Sequence, residues 1–440
     1  MTKEQIIAKC KDADVNFLRL QFTDILGVVK NVSIPISQIE MALNGETMFD
    51  GSSIEGFTRV EESDMILKPD LNTFAILPWR PQEKAVARII CDIYTPDQKP
   101  FEGDPRYVLK KVIAEAEQYG FNINIGPECE FFLFKSNEDG TPSVITHDKG
   151  GYFDMSPNDL GEDARREIIL ALETMGFEIE ASHHEVSPGQ HEIDFKYSDP
   201  LSTADRVVTL KFITRIMAQR HNLHATFMPK PLFGMNGSGM HVHISIFKDG
   251  QNIFFEPTGK HQLSPTALYF IGGILKHVKG ITPITNPLVN SYKRLMPGYE
   301  APVYQSWSAS NRSALIRVPA AREASTRVEI RNPDPCCNPY LAFSLLIKAG
   351  LDGIHNKISP GEPIQKNVYS MSPVERSLAN ISKLPSSLFE ALLEMERDPI
   401  CLETLGEHIY NRFMEAKMIE WEVYQAQVHP WELDQYLGVF

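Results

Sequence analysis

The sequence predicts an α+β protein, a small β-rich region followed by a larger mixed one, and three observations carry that expectation. The first hundred residues read as short β-branched and aromatic runs, as in "VNFLRLQFTDILGVVKNVSIPI", broken by Asp24 and Gly27. The stretch "YTPDQKPFEGDPRYVLKKVIAEAEQYGF" then changes the pattern. Pro96, Pro100 and Gly103 mark a linker, Asp104 suits a helix cap, Pro105 the first helical position and Gly120 the stop. Beyond it strand-like and helical segments alternate, and the tail from Asn338 is mostly helical, with "SSLFEALLEMERD" amphipathic. The boundary falls near residue 102, giving domains of 1–102 and 103–440.

At 440 residues and 42% hydrophobic content, the chain can bury a large core in two or more domains. Lys and Arg total 43 against 57 Asp and Glu, a net charge of −14. With no Lys/Arg tract or aromatic-basic stripe, direct nucleic-acid binding is not expected. The start, "MTKEQIIAKC", lacks a basic segment leading into an apolar run, and no later stretch is apolar for long enough to span a bilayer. A soluble cytoplasmic protein, without a membrane partner, is the expectation. The cysteines Cys10, Cys91, Cys129, Cys336, Cys337 and Cys401 form no C-x-x-C, which suggests neither a disulfide framework nor a zinc site. No internal repeat or low-complexity tract is present.

The chemistry lies in strands that alternate apolar residues with charged ones. In "GPECEFFLF", Glu128 and Glu130 stand two apart on one face of the pleat while Cys129 turns to the core. In "HHEVSPGQHEIDF" two short strands flank the turn Ser187-Pro188-Gly189, so that Glu185, Glu192 and Asp194 share a face if this is a hairpin. "MHVHISIF" presents His241, His243 and Ser245, and "STRVEIRNPDP" presents Arg327, Glu329 and Arg331. One wet face on an antiparallel sheet is ordinary. Wet faces, however, mix Lys, Thr, Ser and Gln, and these carry Glu, His and Arg almost exclusively.

Carboxylates two apart on a strand lie about 6.5 Å apart and repel by roughly 2.5 kcal/mol at an effective dielectric near 20. If Glu128, Glu130, Glu185, Glu192 and Glu329 converge, their repulsion sums to about 15 kcal/mol, comparable to a domain's stability. Cations or protons must offset it. Oxygen-rich ligands with an imidazole or two suit magnesium or manganese, and alternate strand positions more easily serve two ions than one. Two such ions with arginines nearby are usual equipment for handling transferred phosphate.

The segments "MFDGSSIEGF", "GPECEFFLF", "NGSGMHVHIS", "NSYKRLMPGYEAP", "SASNRSALIRVP" and "VEIRNPDPCCNPYLAF" together resemble, in order, the signatures of bacterial type I glutamine synthetases. The resemblance implies ligation of ammonia to L-glutamate, driven by ATP through a γ-glutamyl phosphate, a β-grasp-like N-terminal domain and a dodecamer of two stacked hexameric rings. It implies Glu130, Glu185 and Glu192 around one metal and Glu128, His241 and Glu329 around another. Asn236, Gly237, Arg294 and Arg331 would contact glutamate, with Arg312 and Arg317 facing phosphate. Glu180, Phe195, Tyr197, His243, Ser245 and Arg327 would surround ATP. Asp50, reaching a neighbouring subunit's site, would attract and help deprotonate ammonium, and Glu300 would take a proton and shield the acyl phosphate. "DGSS" would equally satisfy Asp50 in a local Asx turn.

One branch of the family is adenylylated on a tyrosine in a segment that reads "NVYSMSP" here; the mismatch gives no ground to expect it at Tyr369. The shorter, feedback-inhibited branch fits better, and Arg59 in "EGFTRVEESDM" matches a residue linked to glutamine inhibition there, although an ion pair with Glu61 or Glu62 would serve it too. That branch also binds nitrogen-responsive transcription regulators. Three other readings stand beside it: a ligase for a polyamine or other amine, a non-catalytic structural relative, and a two-metal phosphoesterase.

Overall fold

The β-branched runs of the first hundred residues become strands of one sheet, and the run at Ala85–Tyr94, buried along most of its length, is central to it. The computed structural model of the protein describes residues 1–52, 54, 56, 64–81 and 83–440. The first sheet contains β1 (Val15–Thr23), β2 (Val29–Pro35), β3 (Thr47–Asp50), β4 (Asp64–Pro69), β5 (Ala75–Ile76) and β6 (Ala85–Tyr94). Its order is β2-β1-β6-β4-β3, with β5 also on β6; β1 and β6 run parallel and the other pairs antiparallel. Helix Lys3–Asp12 covers it through Ile6 and Cys10.

The second sheet is built on β7 (Asn122–Ser136) and β8 (Pro142–Thr146), β9 (Ile179–His184), β10 (Gln190–Phe195), β11 (Leu223–Thr226), β12 (Met240–Lys248), β13 (Gln251–Asn252), β14 (Trp307–Ser308), β15 (Ile316–Arg317) and β16 (Val328–Ile330). The order is β14-β15-β16-β12-β7-β10-β9, and β7 is long enough to pair with β8 and β11 as well. This is the expected α+β architecture of a small sheet and a large one. The hairpin expected at Ser187-Pro188-Gly189 is β9–β10.

The large core has helices at its back. Pro105–Gln118, Pro200–Arg220, Pro265–Thr285 and Pro339–His355 all start with Pro in the first turn behind a side-chain cap, from Asp104, Asp199, Ser264 and Asn338 respectively. Asp104 and Pro105 act as the sequence predicts. Cys129 is fully buried in this core, also as expected.

Two contacts lock the sheets together. Ile25, at the turn between β1 and β2, is buried in the large core, and Asn338 Nδ2 donates to the Asp24 carbonyl at 3.0 Å. Arg106 is the second tie. Only 3% exposed, it donates to both oxygens of Asp205 on helix Pro200–Arg220 at 3.0 and 2.9 Å, to Asp92 on β6 at 2.6 Å and to Asp70 at the end of β4 at 2.7 Å. Such a charge is tolerated inside because every acceptor is charged and aligned, and removing one member leaves the others uncompensated. Arg106→Met is expected to cost about 3–5 kcal/mol, seen by calorimetry as a drop of several degrees in Tm. An unchanged Tm would dismiss the tie.

Candidate active site

The charged residues of the large sheet meet because β7 pairs antiparallel on both sides. Its register with β10 sets Glu192 opposite Glu130 and Asp194 opposite Glu128; its register with β12 sets His241 opposite Glu128. On the far side of β12, His243 stands opposite Glu329, which in turn stands opposite Arg317 of β15.

Two sets of donors result. Glu128, His241 and Glu329 each offer an atom within 4.8 Å of the others, and so do His183, Glu185 and Glu192. The first is the triad expected for one metal. In the second, His183 joins where Glu130 was expected: its Nδ1 is 3.4 Å from Glu185 and its Nε2 3.2 Å from Glu192. Glu130 lies alongside, accepting from the Gly239 N–H and from Gln190 Nε2, each at 2.9 Å. The sequence reading missed His183, although its position two before Glu185 is the same alternation that identified the glutamates.

The two sets differ in how their charge is compensated. Glu329, fully buried, accepts from Arg331 at 2.6 Å and from Arg317 Nε. Burial opposes ionisation of Glu128, but hydrogen bonds from His241 and His243 prevail and hold its carboxyl well below the ordinary value. Arg327 Nε donates to His243 Nδ1 at 3.2 Å, so the proton of a neutral imidazole sits on Nε2 and points at Glu128, 2.8 Å away. In the second set His183 is the basic neighbour, and it does not offset burial and the surrounding carboxylates. Burial and then the charge of Glu130 push Glu185 up to about 7, and burial with Glu130, Glu128 and Glu185 pushes Glu192 up to about 10. Asp194 is raised to about 9 by burial and Glu192. Unless cations take their place, protons must hold this group together.

A cavity of about 330 Å³ opens beside Glu128. Its walls include Glu180, Phe195, Tyr197, His243, Ser245 and Arg327, all six residues assigned by resemblance to the nucleotide. A second, of about 40 Å³, is lined by Asn236, Gly237, Arg294, Glu300 and Arg331 together with Glu130, Glu185 and His241. Arg331 is a buried wall residue whose Nε has no partner among the described residues. Arg294, by contrast, spends Nη1 and Nη2 on the carbonyls of Arg331, Asn332 and Pro333, bracing that turn. Glycine at 237 is required by packing: a Cβ would sit 2.1 Å from the Pro229 carbonyl oxygen. That is a tighter reason than the approach of a ligand.

Arg312, Arg317 and Asp50 line neither cavity. Arg312 is exposed and hydrogen-bonded to Tyr152, whose ring lies edge-on 5.6 Å from His183. Arg317 is the Glu329 partner. Asp50 ends β3 exposed, accepting from Ser52 N and Oγ at 2.8 and 2.7 Å, the local turn that the sequence allowed. Glu300 is exposed with φ of 56°, a strained conformation for a residue with a side chain, and the next carbonyl, of Ala301, accepts from Tyr369 Oη. Arg59, Glu61 and Glu62 lie outside the described residues.

On the reverse face of β9 and β10, His147, Asp148, Asp159 and His191 also come within metal-holding distance. There Arg165 Nη1 already donates to Asp159 at 2.6 Å and lies 2.8 Å from His191 Nδ1, so a cation is in place. This buried network supports the strands that carry His183, Glu185 and Glu192.

Comparison with known proteins agrees over the whole chain. The family described as "Glutamine synthetase, beta-Grasp domain" matches residues 14–96, and "Glutamine synthetase, catalytic domain" matches residues 102–436. A curated glutamine synthetase of Thermus thermophilus is 58% identical over 443 residues, covering 100% of this chain and 99% of its own. Among solved structures, a GmaS/ADP complex superposes with a TM-score of 0.89 at 32% identity, covering 98% of this chain and 99% of that one. The glutamine synthetase of Plasmodium falciparum gives 0.88 at 28% identity, covering 99% of each. The small sheet with its β-grasp match, the large sheet with its two donor sets and the full-length identity together place the chain in the glutamine synthetase family.

Proposed function

We propose that the two cavities carry out the ATP-dependent ligation of ammonia to L-glutamate through a γ-glutamyl phosphate, releasing glutamine, ADP and phosphate. The observation that carries this reading is where the donor sets lie. Glu128 belongs to the wall of the larger cavity, while His241 and Glu185 belong to the wall of the smaller. Charge-bearing groups thus occupy the border across which a phosphoryl group would pass.

The larger cavity takes the nucleotide. Its volume suits a small-molecule site, with exposed Tyr197 offering a ring face to a base, buried Phe195 backing the wall, and Ser245, Glu180 and Arg327 offering polar contacts. That a protein sharing this fold is solved as a GmaS/ADP complex supports a nucleotide as ligand of this chain. The smaller cavity takes glutamate. The partnerless Nε of Arg331 is a donor for its carboxylate, Arg294 holds the turn that aims Arg331, and the Asn236 and Gly237 backbone closes the wall.

Mg²⁺ or Mn²⁺, at least two per chain, fits the residues present. Both sets combine carboxylates with one imidazole, and the raised Glu185 and Glu192 are groups that a cation would relieve. Glu128, His241 and Glu329 would hold one ion, and Glu185 and Glu192 the other, with Glu130 and His183 beside them. When bound, such ions neutralise phosphate oxygens. The chain's own groups do the rest. Arg312 and Arg317 stabilise charge on the transferring phosphoryl group, the first moving inward from the surface. Asp50 attracts ammonium and helps remove its proton, and Glu300 accepts a proton while its loop keeps water from the acyl phosphate.

Asp50 lines neither cavity of its own chain, so a neighbouring copy completes each site, in keeping with a homo-oligomer of two stacked hexameric rings. Among the described residues no helix is long and apolar enough to cross a membrane, and we place the enzyme in the cytoplasm. Arg59 is the candidate for glutamine feedback, and nitrogen-responsive transcription regulators are candidate partners. The co-occurrence of Asp50 and Glu300 favours ammonia over a polyamine as acceptor.

After EDTA treatment, calorimetric titration with Mg²⁺ is expected to show at least two binding events, and Glu192→Ala to remove one of them; absence of heat in the wild-type protein would defeat the metal assignment. Glu300→Gln is expected to keep glutamate-dependent ATP turnover while glutamine formation falls roughly 10²–10⁴-fold, as for loss of a positioned proton acceptor. Equal loss of both would contradict its role. Arg59→Ala should remain active yet escape inhibition by added glutamine, and unchanged inhibition would discard that assignment.

A further inference from the structure

A separate cavity of about 400 Å³ lies where the turn between β1 and β2 docks on helix Pro200–Arg220. Val28 from the turn, Val208 and Phe212 from the helix, and Phe227 and Leu288 from the large domain give it apolar walls. Lys211 and Arg215, one helical turn apart, are its charged residues; among the described residues no Asp or Glu lines it.

Lys211 is the informative group. It is only 9% exposed, and its hydrogen-bond partner among the described residues is the Cys337 carbonyl, at a long 3.5 Å. Neither Lys211 nor Arg215 has an ion pair among the described residues. Arg106 and Arg165 are matched by carboxylates, three for the first and Asp159 for the second, and buried Arg294, which lacks one among the described residues, spends its guanidinium on three backbone carbonyls, whereas Lys211 has a single long contact. An ammonium buried against apolar walls without a counter-ion is costly, and an anion delivered to the cavity relieves that cost.

We propose that this cavity is an effector site for a small organic carboxylate with an apolar tail. The carboxylate pairs with Lys211, and Arg215, stacked over Phe227 at 5.7 Å, closes over it at the mouth; the tail lies along Val208, Phe212 and Leu288. An alternative inorganic anion would leave those walls unused. The position matters for control. Gly27, beside Val28, has φ of 82° and would bring a Cβ within 3.0 Å of Asn338 Cα, so the turn sits hard against the large domain. A ligand filling the cavity therefore braces the contact that joins the two sheets.

The test uses the assembled enzyme, with hexanoate as probe and hexanol, hexylamine and inorganic phosphate as controls, read by thermal denaturation and calorimetry. Hexanoate is expected to bind saturably and raise Tm, as any ligand of the folded state does, while the neutral, cationic and inorganic controls do not. Lys211→Met is expected to raise the Tm of the ligand-free enzyme, because it removes the unmatched charge, to abolish the hexanoate response and to leave basal glutamine synthesis unchanged. Hexanol or phosphate acting as well as hexanoate, or Lys211→Met responding like the wild type, would overturn the proposal. So would a ligand-free Lys211→Met enzyme that melts lower, since Lys211 would then already be compensated.

Discussion

The hydrogen-bonded register of β7 with β10 and β12 is the constraint from which the site follows. Because side chains alternate along a strand, one choice of register decides every residue on both faces. Here Cys129, Phe131, Leu133, Ile193, Val242 and Ile244 are fully buried on the core side. A slip of β7 by one residue would drive Glu128 and Glu130 into that core and turn Phe131 and Leu133 out of it. Hydrophobic burial on one face therefore enforces the crowding of charge on the other, even though the crowding opposes folding.

The protein answers that crowding unevenly. Around Glu329 and Glu128 it places Arg317, Arg331, His241 and His243, so this set is compensated by the chain itself. Around Glu185 and Glu192 it supplies His183, and the carboxyls rise to about 7 and about 10. A cation held by Glu185 and Glu192 would relieve carboxyls that burial and mutual repulsion raise, whereas Glu128 and Glu329 are already held below the ordinary value by their own cationic neighbours. The same economy of charge governs the joint between the sheets, where Arg106 gathers Asp70, Asp92 and Asp205 and Tyr340 Oη completes Asp205 at 2.7 Å.

Exposed charged residues stand at the rim. Glu300 carries a left-handed backbone on an exposed loop tied down through Ala301 to Tyr369, and Arg312 rests on Tyr152 outside both cavities. In the proposed function these two residues meet the substrate from exposed segments, while the residues that fix charge sit on strands.

Much was legible in the sequence. The alternation in "GPECEFFLF" and "MHVHISIF" determines which residues face the site, since a pleat has a period of two whatever its neighbours. Cap and proline signals locate the start of helix Pro105–Gln118 for an equally local reason. What the tertiary structure decided is pairing. Local sequence cannot say that His183 stands opposite Glu192, that Gly237 is pressed against Pro229, that Arg294 is spent on carbonyls, or that Lys211 faces a cavity beside Val28. The first two depend on the register of a hairpin and the path of a loop, which residue type alone does not fix; the last two join residues distant along the chain, and they exist only because burying one continuous core brings their strands and helices together.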